Sequence, residues 1–236
     1  MKKLLEKALL KPNSSIYFLV SDFLAVATVV SIVAIVLETV PSLAAYAHWF
    51  AVVEYTMVFI FTAEYAARIY ITKPSRQYIF SFFGVVDLLS ILPSFIGVGN
   101  FTFLKSARAV RLIRLLRLVR LAKLSHSQHR DPEESLSIYT LNILIYISLL
   151  LLALLCMGTL MYIAEEQAGM IMSIPAGMWW SFKVFMGGIP VDAPVTAFGA
   201  GLYVFARFLG YLLLGVLIGV VGNIFRALLF TSSKSS

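Results

Sequence analysis

Cysteine and charged residues are both scarce in this sequence of 236 residues. The single cysteine, Cys156, lies within an apolar run, which excludes a disulfide framework and a cysteine-rich metal site. Only 13% of the residues are charged, about half the share found in soluble domains, and 60% are hydrophobic. Together with a mean hydropathy of +0.90, these shares are typical of an integral membrane protein.

No group of residues suited to catalysis, to metal binding or to cofactor binding is evident in the sequence. We therefore predict that the protein is not an enzyme and needs no cofactor. The formal net charge of +7 would suggest a nucleic-acid partner in a soluble protein. Here most basic residues lie within or beside apolar segments, so we predict no nucleic-acid partner.

Six apolar segments reach the length of about 20 residues that a helix needs to cross a bilayer. They fall at residues 15–38, 45–72, 79–98, 102–124, 138–164 and 198–230. A further apolar segment at 174–186 is too short to span and is predicted to be re-entrant. These segments predict an all-α membrane protein. Residues 1–14 are basic and amphipathic, which predicts an interfacial helix on the membrane surface.

Lysine and arginine residues are concentrated on one side of these segments. They are Lys2, Lys3, Lys7, Lys11, Arg68, Lys73, Arg76, Arg130, Arg226 and Lys234. The opposite loops carry Glu38, Glu165 and Glu166 and almost no basic residue. By the positive-inside bias, we predict a multi-pass protein of the cell membrane with both termini in the cytoplasm.

The fourth apolar segment carries a positive charge at every third residue. Its cations are Arg108, Arg111, Arg114, Arg117, Arg120 and Lys123, with Lys105 one step upstream. On an α-helix the series rises about 27 Å, nearly the thickness of the hydrocarbon core. Each intramembrane cation costs at least a few kcal/mol unless it finds a partner or water. Acidic partners at membrane depth are available in Glu54, Glu64 and Asp87.

Spacing alone leaves two interpretations of this segment. A helix on the membrane surface would cluster its charges on one polar face, whereas here two apolar residues fill every gap. A spanning helix that moves its charges through the membrane field accounts for the regular spacing. The acids are then either counter-charges for moving arginines or static ion pairs that hold the helices together.

The cation series resembles the fourth helix of the voltage-gated cation channels. "FTAEYAAR" resembles that family's second-helix pattern, in which an aromatic plug and an inner acid form a charge-transfer site, here Phe61 and Glu64. "GVVDLLSILPSF" resembles the third helix, whose acid is Asp87, and Glu54 falls where the outer acid is expected. The resemblance implies a four-helix voltage-sensor domain.

The second half of the chain resembles the pore of potassium channels. "AGMWWSFKVFMGGIPVDAPVTAFG" resembles the pore helix, filter and outer turn, and "LGYLLLGVLIGVVGNIFRALL" resembles the inner helix. The resemblance implies a two-helix pore domain with a re-entrant pore helix. It also implies a homotetramer, because one such unit cannot enclose a channel. The gate residues implied are Gly210, Asn223 and Phe225. The domains implied are an interfacial helix at 1–14, the sensor at 15–124, a linker at 125–137, the pore domain at 138–230 and a tail at 231–236.

The sequence departs from that family at the filter. Counted from Trp179, the family's "TVGYGD" falls on Gly187, Gly188, Ile189, Pro190, Val191 and Asp192. The family's two filter glycines then fall on Ile189 and Val191, which are β-branched residues for which a positive φ is costly, and Pro190 lacks an N–H. A stack of four carbonyl sites is therefore not expected. A second register, with Gly188 as the filter glycine, resembles the short filters of weakly selective cyclic-nucleotide-gated channels.

These motifs predict a voltage-gated, potassium-channel-like channel with weak selectivity, for which permeant monovalent cations and the lipid bilayer are partners. The alternative is a voltage-sensing membrane protein with a non-conducting, structural pore domain. An ion-coupled transporter is not supported, because no inverted repeat is visible.

Two cations in the pore segments, Lys183 and Arg207, are predicted to be neutralised by acids or to point away from the axis. Glu165, Glu166 and Asp192 are their candidate partners.

Overall fold

A computed structural model of the chain describes residues 14–96 and 138–231, together with Glu6, Lys7, Leu9 and Arg117. These residues form seven α-helices and one 3-10 helix, with no strand among them, which confirms the all-α class for this part of the chain. The α-helices are α1 (Ser15–Glu38), α2 (Ala47–Ile71), α3 (Ser75–Ile79), α4 (Phe82–Ile96), α5 (Ile138–Glu165), α6 (Ile174–Met186) and α7 (Ala197–Thr231), and the 3-10 helix is Pro41–Tyr46.

Four stretches of helix in the described residues are long and apolar enough to cross a membrane. They are α1, α2 with the preceding 3-10 helix, α5, and α7. The shorter α4 is also apolar. The predicted spanning segment at 102–124 lies outside the described residues apart from Arg117, and the predicted linker at 125–137 lies wholly outside them.

The first of two compact units contains α1 to α4 and Arg117. Within it, α1 packs against α2, and α2 packs against α3 and α4. Phe61 and Tyr65 of α2 form an apolar core with residues of α1 and α4. The apolar α1 also turns a row of small polar side chains inward, because Thr28 and Ser31 are almost completely buried. A buried hydroxyl requires a hydrogen-bond partner. Thr28 donates to the Leu24 carbonyl of its own helix, whereas Ser31 has a partner from outside α1, in Arg117.

The second unit contains α5, α6 and α7, which all pack against one another. The sequence sets both ends of the short α6: the Ser173 side chain accepts a hydrogen bond from the Ala176 N–H, and Gly187 ends the helix at a φ of 75°. The backbones of α5 and α6 approach closely where Gly158 meets Gly177. At the other end of α6, Gly210 of α7 packs so tightly that a Cβ would lie 2.7 Å from the Phe185 Cα. Small residues at these crossings let α6 sit between the two long helices.

Candidate functional sites

The guanidinium group of Arg117 is fully buried inside the first unit. Its two terminal nitrogens donate to the two carboxylate oxygens of Glu54, over 2.8 Å and 2.7 Å. Such a bidentate pair is stronger than a neutral hydrogen bond and fixes the plane of the guanidinium. Arg117, one cation of the series, is therefore paired with Glu54, the first acid of α2.

Two further helices complete the surroundings of Arg117. Its Nη1 also donates to the hydroxyl of Ser31 on α1, and its Nε donates to the carbonyl of Ser90 on α4 over 3.4 Å. The guanidinium carbon lies 5.8 Å from the centre of the Phe61 ring, within the range of a cation–π contact. Because α1, α2 and α4 all contribute acceptors, the positive charge of Arg117 is satisfied although it is fully buried.

The ring of Phe61 separates two acids along α2. Glu54 precedes it by seven residues and Glu64 follows it by three, which corresponds to rises of about 10 Å and about 4.5 Å. Phe61 is fully buried, and Arg117 is held by the acid on one side of it. Phe61 thus lies between the two acids along α2, and its role as a plug between them stays a prediction.

The other two predicted counter-charges, Glu64 and Asp87, accept hydrogen bonds from Arg68 and Tyr78. Arg68 Nε donates to Glu64 over 2.8 Å, one helical turn along α2. The Tyr78 hydroxyl of α3 donates to the buried Asp87 over 2.6 Å. Burial and the negative charge of Asp87 raise the pKa of Tyr78 above its ordinary value, so the phenol remains a donor. The role of Glu64 and Asp87 as inner counter-charges stays a prediction.

Five of the six predicted sensing cations lie outside the described residues: Arg108, Arg111, Arg114, Arg120 and Lys123. Sequence reasoning also missed three groups of the site, namely Ser31, the Ser90 carbonyl and the Tyr78 hydroxyl. Ser31 did carry a signal, since Ser21, Thr28 and Ser31 recur on one face of an apolar helix. A backbone carbonyl such as that of Ser90 has no sequence signal.

The predicted filter residues form the irregular loop between α6 and α7. Gly187 takes the left-handed conformation, and no described residue other than glycine has a positive φ, so Ile189 and Val191 do not adopt one. Gly188, Ile189 and Pro190 are exposed in the single chain. At the far end of the loop, the Asp192 carbonyl accepts a hydrogen bond from Trp180 Nε1 over 3.1 Å, and the Asp192 side chain is exposed.

Glu165, at the end of α5, is a fully buried acid that holds the start of α7. Its carboxylate accepts hydrogen bonds from the N–H groups of Val195 and Thr196, both at 3.0 Å, and from the Thr196 hydroxyl at 2.6 Å. The same hydroxyl accepts the N–H of Gly199, where a Cβ would overlap the carboxylate. This cap accounts for a threonine at position 196 and a glycine at position 199. Glu165 was a candidate partner for Arg207 but is bound elsewhere.

Of the remaining predicted pore residues, Lys183 lies in α6 and the others lie along α7. Arg207 donates to the Val184 carbonyl over 3.3 Å and to the Tyr203 hydroxyl over 2.8 Å. Gly210 was predicted as a gate residue because it falls where the family has a hinge glycine, and in the structure it is buried and packs against Phe185. Asn223 and Phe225 are exposed near the end of the helix.

The chain matches the family described as ion transport protein, over residues 17–229. This range extends from the first turn of α1 almost to the end of α7 and so includes both candidate sites. Among curated proteins, none matches the chain significantly.

Proposed function

Because the chain belongs to the ion transport protein family, we propose that it is a voltage-gated channel through which monovalent cations flow passively. Membership itself indicates a membrane ion channel, rather than an enzyme, with permeant ions and lipid as its surroundings. It does not favour the alternative in which the pore domain is only structural. Voltage gating, cation preference and assembly from four identical chains, with both termini in the cytoplasm, are the finer parts of the proposal.

The buried pair of Arg117 and Glu54 carries the proposal of voltage gating. The fully buried guanidinium of Arg117 supports the proposal, because a charge held inside a membrane-spanning unit would respond to the membrane field. Moving one charge through the field is worth about 2.3 kcal/mol per 100 mV. Three such charges in each of four chains would supply about 28 kcal/mol per 100 mV, which is enough for steep gating.

The loop from Gly187 to Asp192 supports weak selectivity. Beyond Gly187 its backbone keeps negative φ angles, and Pro190 offers no N–H to brace a stack of carbonyls. In a tetramer, four exposed Asp192 side chains would form a ring that attracts cations without dehydrating them fully. We therefore expect sodium and potassium to be distinguished far less than hundredfold, a ratio that would require about 2.7 kcal/mol.

Gating-charge measurement tests the first part of the proposal. Arg117→Gln should lower the charge moved per channel, by about one elementary charge per chain if the residue crosses the whole field. Arg76→Gln is the matched control, because Arg76 is an exposed arginine of the same unit outside the long helices. An unchanged charge in Arg117→Gln, or an equal loss in the control, would refute the assignment.

Reversal potentials in planar bilayers test the second part. Purified protein under asymmetric potassium, sodium and chloride should show cation currents with weak discrimination between potassium and sodium. A reversal potential that follows potassium alone would contradict weak selectivity. A silent bilayer, despite confirmed tetramers and sensor movement, would contradict the channel function and restore the structural-pore alternative.

A further inference from the structure

The C-terminal end of α6 is occupied by a cation from α7. The last carbonyls of a helix lack partners within the helix and carry the negative end of its dipole. Here Arg207 donates to one of them, the carbonyl of Val184. The guanidinium also reaches the filter loop, because a Cβ on Gly187 would lie 3.3 Å from its Nη1. A positive charge thus occupies the place where a bare helix end would attract a cation.

The position of this charge is fixed by an aromatic side chain. Arg207 Nη2 donates to the Tyr203 hydroxyl, and its guanidinium carbon lies 5.4 Å from the centre of the Tyr203 ring. The Tyr203 ring in turn packs against Trp180 of α6, with 5.8 Å between the ring centres. A guanidinium with two hydrogen bonds and a stacked ring loses most of its rotational freedom. Its charge therefore has a defined location at the foot of the loop.

Within the described residues, this charge is hydrogen-bonded but not neutralised. Both acceptors, a backbone carbonyl and a phenol, are uncharged. Glu165 binds Val195 and Thr196 instead. The expectation that an acid of the outer pore pairs with Arg207 is therefore not met by Glu165.

The same group of side chains holds both ends of the filter loop. Arg207 contacts α6 just before Gly187, and Trp180 donates to the carbonyl of Asp192 at the far end. Tyr203 lies between Arg207 and Trp180 and contacts both. The loop is consequently fixed with a positive charge at one end and the exposed Asp192 carboxylate at the other.

We propose that Arg207 is a specificity-determining residue of the pore, whose fixed charge at the foot of the filter loop opposes cations and lowers the preference for cations over anions. The inference rests on the proposed channel function. A unit charge within about 10 Å of an ion, at an effective dielectric constant near 20, changes the ion's local concentration about tenfold. Four copies around an axis would make this charge a main determinant of ion preference.

Reversal potentials under asymmetric potassium chloride test the inference. Arg207→Gln removes the charge and keeps an amide donor for the Val184 carbonyl, so its reversal potential should move toward that of potassium, with the permeability ratio of cations over chloride rising by at least about tenfold. Arg207→Lys keeps the charge and should retain the reversal potential of the parent. The matched control is Arg226→Gln, which removes the same charge from an exposed position of α7, about 28 Å along the helix.

The outcomes separate this inference from the channel function. A conducting parent whose reversal potential is unchanged by Arg207→Gln overturns the inference alone, as does an equal shift in Arg226→Gln. A silent parent bilayer contradicts the channel function.

A thiol reporter measures the local charge without conduction. Gly188 is exposed and has open space around a Cβ, so Gly188→Cys in a Cys156→Ser background places one thiol beside the site. A neighbouring cation lowers a thiol pKa, so adding Arg207→Gln should raise the pKa of the introduced thiol by about half a pH unit or more. The pH dependence of its alkylation gives this pKa. Equal values with and without Arg207 would show that no positive charge acts at the loop.

Discussion

At the scale of single residues, the first unit is organised around a charge that cannot reach water. Removing one partner of a buried ion pair leaves the other without compensation and costs about 3–5 kcal/mol. Arg117 has neutral acceptors in Ser31 and Ser90, but Glu54 is its paired carboxylate in the described residues. Among these partners, Glu54 therefore contributes most to holding Arg117 in its buried position.

The first prediction concerns Glu54→Gln. The amide cannot form the bidentate charged pair, so the state with Arg117 on the Glu54 side of Phe61 loses stability. Since the proposed topology puts Glu54 near the outer surface, the charge–voltage curve should move to more positive voltages. A double-mutant cycle with Arg117→Gln should show coupling of at least about 1 kcal/mol. Additive effects in the cycle would mean that the two residues do not act as a pair.

The second prediction concerns the cap at Glu165. Glu165→Gln replaces an acceptor of three hydrogen bonds with an amide that presents one oxygen, and should cost about 3 kcal/mol of stability. Glu166→Gln is the control: this neighbouring acid accepts a hydrogen bond from Tyr162 Oη and is only half-buried, so its loss should cost less. Thermal unfolding of the purified protein in detergent compares the two. Equal melting temperatures for both variants would rule out a special role for Glu165.

At the scale of helices, the sequence predicted the long elements well, because apolar length is a direct physical requirement for crossing a bilayer. The segment predicted at 15–38 is α1, and the one at 174–186 is α6. The 3-10 helix Pro41–Tyr46 and the five-residue α3 were missed, since such short elements carry no periodic signal. α3 matters to the site, because it brings Tyr78 to Asp87.

The candidate site could be predicted where a charge or a motif marked it. Glu54 and Phe61 were identified in this way, and the structure brings both to Arg117. Ser31 and Ser90 depend on how α1 and α4 are rotated against α2, which composition does not determine. The cap at Glu165 was missed for a similar reason, because two of its three donors are backbone N–H groups 30 and 31 residues away.

The third prediction distinguishes a hinge from a packing contact at Gly210. Gly210→Ala places a Cβ 2.7 Å from the Phe185 Cα, so α7 must move away from α6 and the melting temperature should fall. Gly215→Ala, on the same helix with nothing within 4 Å of its Cβ, should be neutral or gain up to about 1 kcal/mol. If Gly210→Ala alters gating while its stability equals that of the control, the residue is a hinge rather than a packing position.

At the scale of the whole molecule, a single chain leaves its filter loop and much of α7 exposed. Exposed apolar side chains of α7 include Phe205, Phe208, Tyr211 and Ile218, which is typical of helices that meet lipid or other chains. A loop that lines a pore is covered only when further copies of the chain surround it. The exposure of Gly188 to Pro190 agrees with that requirement.

The fourth prediction is that the purified protein contains four copies of its 26.2 kDa chain. Light scattering, corrected for bound detergent, gives the protein mass directly. Chemical crosslinking in native membranes should give a ladder that ends at four chains. A stable monomer or dimer in both measurements would exclude the shared central pore and, with it, a ring of four Asp192 side chains.

The cap at Glu165 also constrains how the chain is made. The ribosome adds the donors of Val195 and Thr196 30 and 31 residues after this glutamate. At about 5–20 residues per second, the carboxylate waits about 2–6 s for them. An ionised group without partners is costly in hydrocarbon, so the end of α5 must remain at the water boundary during this interval. The cap on Glu165 can therefore form only after the start of α7 has been synthesised, so the packing of this unit is completed late in synthesis.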